Sequence, residues 1–128
     1  MRVLLVTPYD LAVPGGVNRH VRELGAALRG CGDEVRIVGP ASPGYASEDA
    51  EILPLGTVRT IRLNGAVTRT TLDFGSVVPG LRRLMRDYSP EVVHVHEPVA
   101  PLPCAAVSPS RERPGSAANR STPGCCRA

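Results

Sequence analysis

Arg2-Val3-Leu4-Leu5-Val6-Thr7 is an aliphatic, β-branched run, the composition of a parallel strand buried on both faces. A polar loop containing Pro and Gly follows from Pro8 to Gly16. From Val17 onward, the apolar residues Val17, Val21, Leu24, Leu28 and Cys31 recur at alternating spacings of four and three. That spacing puts them on one face of a helix, with Gly30 and Gly32 as stop signals. Glu34–Gly39 reads as a second strand. Parallel neighbours need a crossover connection, and a right-handed strand, helix, strand unit supplies it. The expectation is therefore an α/β fold with a Rossmann-like, doubly wound, mostly parallel sheet.

Further along, Pro40-Ala41-Ser42-Pro43-Gly44 reads as loop and the middle of the chain is less regular. Val58–Leu63 and Ala66–Leu72 read as short strands around Asn64-Gly65, a strong hairpin signal because both turn positions tolerate positive φ. Ser76–Tyr88 reads as a helix with Pro79 tolerated in its first turn. Val77, Leu81, Leu84 and Tyr88 share one of its faces, and Arg82, Arg83 and Arg86 lie opposite. Glu91–His96 is a further strand, with Val92, Val93 and Val95 supplying its core.

After Pro103 the composition changes. Residues 104–128 contain no Leu, Ile, Phe, Tyr or Met, so they cannot bury enough apolar area to offset ordering entropy of ~1–2 kcal/mol per residue. The expected organisation is a partial domain over 1–103 and a disordered tail over 104–128. Either an out-of-frame or truncated coding region or a natural flexible tail gives such a composition.

All fifteen basic residues are Arg, which points to a GC-rich gene rather than to mechanism. Residues 1–103 balance their Arg with Asp and Glu; the net charge of +3 falls in 104–128, where Glu112 is the only acid. Charge placed this way gives no case for a nucleic-acid partner. The four cysteines, Cys31, Cys104, Cys125 and Cys126, match no zinc or redox spacing. No run approaches the ~18 apolar residues of a membrane span, and the N-terminal run is short for a signal peptide, so a cytoplasmic location is expected.

Several residues are candidates for chemistry. Gly15 and Gly16 stand where a loop enters a helix; adjacent glycines there either let a ligand phosphate approach the helix N-terminus or form a tight turn needing positive φ. The glycine fingerprint of dinucleotide folds is absent. Tyr9 lies at the carboxyl end of the first strand, where open α/β sheets place ligands. His20 lies one turn into the helix, either at the cleft or in solvent. His94 and His96 are two apart on a strand and share a side, with Glu97 beside them. No further ligands of suitable spacing complete a metal site.

Pro8-Tyr9, Pro14-Gly15-Gly16-Val17 running into a helix with His20, Asn64-Gly65, and Val92-Val93-His94-Val95-His96-Glu97-Pro98 occur in this order over residues 1–103. In that combination the chain resembles the N-terminal domain of family-4-type (GT-B fold) retaining glycosyltransferases, and among them the actinobacterial phosphatidylinositol mannosyltransferases. The resemblance implies a two-domain enzyme whose N-terminal half holds the acceptor and whose C-terminal half grips the sugar nucleotide. Gly15 and Gly16 then contact the donor, possible donors including guanosine diphosphate mannose, while Tyr9, Asn18, Asn64 and Arg69 face a phosphatidylinositol-like acceptor; Asn18 stands where those enzymes tend to have Gln. His20, His96 and Glu97 are cleft residues. The Arg82, Arg83 and Arg86 face corresponds to a helix that sits on anionic lipid at the inner face of the plasma membrane, or else is a solvated surface. No metal or other cofactor is implied. The histidine the family places near the reacting sugar would come after residue 103, so no catalytic residue is expected in this chain and activity alone is not expected. A non-catalytic phosphate-binding module, or an unstable product of a damaged gene, is the alternative.

Overall fold

The computed structural model describes residues 1–63 and 65–97, so Asn64 and the segment 104–128 lie outside the described residues. The elements are β1 (Arg2–Val6), α1 (Gly16–Gly30), β2 (Glu34–Ala41), β3 (Ile52–Thr57), β4 (Arg59–Leu63), β5 (Ala66–Thr70), α2 (Phe74–Tyr88) and β6 (Val92–Val95). Strands β3, β2, β1 and β6 form one sheet in that spatial order, every neighbouring pair parallel. β4 and β5 pair antiparallel as a separate ribbon, with Gly65 at φ 81° in its turn.

Central position explains the apolar run of β1. Successive side chains of a strand point to opposite faces, so both faces of β1 need a cover. Val3 and Leu5 pack with Val21 of α1, Val35, Ile37 and Ile52, against the partly buried Val17, Leu24 and Leu28. Leu4 and Val6 pack on the other face with Val38, Leu81 and Tyr88 of α2. The two helices thus cover opposite faces, as a doubly wound sheet requires. Each fully buried aliphatic side chain contributes about 1.5–3 kcal/mol. Gly25 lets α1 approach closely, since a Cβ there would stand 3.2 Å from Ile37 Cδ1. Tyr88 closes the second layer: its hydroxyl donates to the Glu34 carbonyl at 2.8 Å, and the Arg36 guanidinium lies 4.4 Å from its ring centre.

Some expectations are corrected. Cys31 is exposed at the C-terminal cap of α1 rather than on its buried face. β2 continues through Pro40 to Ala41, because β3, which periodicity did not predict, pairs with it as far as Ala41 and Thr57. β5 ends at Thr70. α2 begins at Phe74 behind Asp73, whose carboxylate accepts from the Ser76 N–H at 3.2 Å; Pro79 accordingly sits in the second turn. The N–H it lacks would have served the carbonyl of Gly75, which is exposed. Val92 is 41% exposed, so Val93 and Val95 alone of the β6 valines pack against the core.

From β1 the chain winds outward through β2 to β3, then returns to the other side of β1 as β6. Strand order therefore reverses between β1 and β6, and open α/β sheets bind ligands at the carboxyl ends of such a pair. The residues after Val6 and after Val95 meet there.

Candidate functional site

The loop leaving β1 is built inward before it can present anything outward. Asn18, buried in the first turn of α1, donates through Nδ2 to the carbonyls of Asp10 (2.8 Å) and Val13 (3.1 Å) and accepts from the Thr7 hydroxyl at 3.2 Å. These bonds use both amide donors and hold the loop against the helix. The structure thus places Asn18 beneath the loop as a brace.

Above that brace, Gly15 caps α1 with φ −164° and ψ 159°, an extended conformation open to any residue, and neither Gly15 nor Gly16 has positive φ. A Cβ at either would meet nothing within 4 Å. The tight-turn explanation therefore falls away and open space remains. No side chain caps the helix and no acid stands in its first turn, so the positive end of the macrodipole is left uncompensated.

The β4–β5 ribbon forms the facing wall. Thr70 forms a bridge with Tyr9, its hydroxyl donates to the Pro8 carbonyl at 2.7 Å, and the Asp10 N–H donates to the Arg69 carbonyl at 3.1 Å. Between loop and ribbon lies a cavity of about 300 Å³, bordered by Tyr9, Gly15, Gly16, Asn18, Thr68 and Arg69. Its size suits a small ligand or part of a larger one. On the far side of the glycines a wider recess of about 980 Å³ runs toward Arg22 and Tyr45.

Arg69 is anchored rather than loose. Its Nη2 lies 3.0 Å from Asp10 Oδ2 and donates to Ser42 Oγ at 2.6 Å; the Ser42 hydroxyl in turn donates to Asp10 Oδ2 at 2.5 Å. Asp10 also accepts from the N–H groups of Ala12 (3.0 Å) and Ser42 (2.9 Å). Burial pushes the Asp10 carboxyl up, but these hydrogen bonds and the Arg69 charge outweigh it and hold the group below its ordinary 3.8. In the sequence Asp10 is a lone acid and Ser42 a loop serine, with no signal to single them out; only the fold brings them to the ribbon.

A second group of residues gathers at the carboxyl ends of β1 and β6. The Tyr9 hydroxyl bonds the Glu97 carboxylate, and Glu97 itself holds φ 53°. The His96 ring stacks on His94 at 4.5 Å and meets His20 edge-on at 5.6 Å. Burial, then the neighbouring His94 and His20, push His96 below its ordinary 6.5 against the opposing charge of Glu97. A neutral ring is thereby favoured near neutral pH. His20 lies four residues past Gly16 on the same helix face, which links this group to the glycine loop. No cluster of His, Cys, Asp and Glu able to hold a metal occurs among the described residues.

Arg82, Arg83 and Arg86 are exposed on α2, across the sheet from α1, and Asp87 pairs with Arg83 (3.4 Å) and Arg86 (3.3 Å). Among the described residues no helix is long and apolar enough to cross a membrane. Asn64, expected beside Arg69, lies outside the described residues.

Comparison with known proteins identifies the family. Residues 14–115 match the Glycosyltransferase Family 4 domain. The chain is 38% identical over 102 residues to a phosphatidyl-myo-inositol mannosyltransferase of Mycobacterium leprae, covering 79% of this chain and 26% of that protein. Against the phosphatidyl-myo-inositol mannosyltransferase of Mycolicibacterium smegmatis it is 40% identical over 105 residues, with 79% and 26% covered. The one from Propionibacterium freudenreichii is 35% identical over 123 residues, covering 91% of this chain and 32% of the relative. This chain thus spans between a quarter and a third of the length of these relatives. By its fold and by these matches, the chain belongs to Glycosyltransferase Family 4.

Proposed function

We propose that the chain forms the acceptor-side wall of a retaining, sugar-nucleotide-dependent glycosyltransferase. In the complete enzyme it helps move a hexose, mannose from guanosine diphosphate mannose, onto a lipid-linked polyol such as phosphatidylinositol. The observation that carries this reading is the open cavity between the uncapped helix end at Gly15 and Gly16 and the anchored Arg69. Backbone N–H groups at a helix N-terminus suit the donor's phosphate, and an Arg fork suits a phosphate on the acceptor. Tyr9 packs beside the acceptor ring, and the Arg82, Arg83 and Arg86 face meets anionic lipid at the membrane surface. The donor half is supplied by the part of the relatives that these residues do not cover.

Retaining transfer needs the leaving diphosphate stabilised on one side while the acceptor hydroxyl is held at the anomeric carbon. One wall does only part of this, so the 128-residue chain is inactive by itself. The test is a chimera in which residues 1–97 replace the residues of the Mycolicibacterium smegmatis relative that align with them. It should transfer mannose to phosphatidylinositol, and the isolated chain should transfer none. A folded chimera without transfer, or turnover by the isolated chain, would contradict the reading.

A further inference from the structure

We propose that Asp10 is a positioning residue for acceptor recognition, acting through Arg69. A carboxylate only 1% exposed is costly to keep ionised unless it is fully bonded. Asp10 is already satisfied by Ala12 N–H, Ser42 N–H and the Ser42 hydroxyl, all from its own loop or the end of β2. Arg69 is an addition from a different ribbon, reaching in with Nη2 alone and sharing that nitrogen between Asp10 and Ser42. Among the described residues nothing bonds its Nε and Nη1 donors, on a side chain that is 47% exposed and borders the cavity.

A free surface arginine must lose much rotamer freedom before it holds a ligand. One already fixed through one nitrogen of its guanidinium loses less on binding, and its remaining donors keep one direction. The buried carboxylate therefore pre-sets Arg69 for the phosphate ester of a polyol. Ser42 completes the grip, so three segments distant in sequence must all be folded before Arg69 is aimed.

This inference rests on Arg69 contacting a phosphate, and the two ideas are separable in one NMR titration. The 128-residue chain is titrated with inositol 1-phosphate, with inositol as control, following the amides of Gly15, Gly16 and Thr68. Inositol 1-phosphate should bind the wild-type chain more tightly than inositol does. Asp10→Asn and Arg69→Ala should each weaken its binding about tenfold, the scale of one charge-assisted hydrogen bond. Adding Asp10→Asn to Arg69→Ala should weaken it no further, whereas a merely structural role would lower affinity in both backgrounds. Ser42→Ala, which leaves the carboxylate and its backbone bonds in place, should give a smaller loss, again only when Arg69 is present; it carries the test if Asp10→Asn fails to fold. An Arg69→Ala loss without any Asp10→Asn or Ser42→Ala loss overturns the positioning role alone. If Arg69→Ala leaves the affinity unchanged, or inositol and its phosphate bind alike, the phosphate reading fails and the inference with it.

Discussion

Gly39 and Gly16 are separated by what surrounds them. A Cβ on Gly39 would come within 2.6 Å of Thr7 Cγ2 and 2.9 Å of the Thr7 carbonyl oxygen, a backbone atom fixed between β1 and β2. A Cβ on Gly16 would meet nothing within 4 Å among the described residues beyond its own stretch of helix. Gly39→Ala should therefore destabilise the fold by about 1–3 kcal/mol through overpacking. Gly16→Ala, within a helix, should leave stability unchanged or raise it by up to about 1 kcal/mol. Chemical denaturation measures both, and a Gly16→Ala loss as large as that of Gly39→Ala would show that Gly16 serves the fold rather than an opening. At this scale the sequence was informative but incomplete. It singled out Gly15 and Gly16 from their place before a helix. It left open why they are glycines, which only the surrounding space decides. Asn18, which the resemblance turns toward the acceptor, borders the cavity, and its amide is committed to three bonds that brace the loop.

At the scale of elements, the legible parts were those with one strong local pattern. β1 announced itself by an unbroken aliphatic run, α1 and α2 by their three-and-four spacing, and the ribbon by Asn64-Gly65. β3 carries no such pattern: its residues, Ile52-Leu53-Pro54-Leu55-Gly56-Thr57, interrupt the strand alternation with Pro and Gly and take their place only by pairing with β2. The docking of the ribbon onto Pro8–Asp10 was equally hidden, since those bonds join residues about sixty apart in sequence. For α2, periodicity separated the buried face from the Arg face correctly, but could not show that Asp87 would pair with Arg83 and Arg86. Attraction to an anionic bilayer is worth about 1 kcal/mol per basic residue near the surface. Vesicle co-sedimentation should accordingly require anionic lipid and weaken as salt shortens the Debye length from ~10 Å at 0.1 M to ~3 Å at 1 M. Replacing Arg82, Arg83 and Arg86 together with Gln should abolish it. Equal binding to neutral vesicles would assign the Arg face to solvent.

Over the whole molecule, the reversal of strand order between β1 and β6 sets where chemistry can occur. It puts the loop after β1 beside the end of β6, and so joins Tyr9 to Glu97 and His20 to His96. The ribbon then folds over the same loop and closes the cavity against the glycines. Core burial on both faces of the sheet makes this scaffold rigid, while the helix end facing the cavity stays uncapped. The central claim is that the open space at Gly16 is where backbone meets a substrate phosphate. Its most direct test is Gly16→Val in the chimera with the Mycolicibacterium smegmatis relative, measuring mannosyl transfer and thermal unfolding on the same samples. A branched side chain there should fill the cavity without touching the fold. Turnover should fall by about a hundredfold or more, the scale of a 1 Å misplacement of a positioned reactant, with the melting temperature unchanged. Undiminished transfer by Gly16→Val, or a loss of transfer matched by a loss of stability, would contradict the claim.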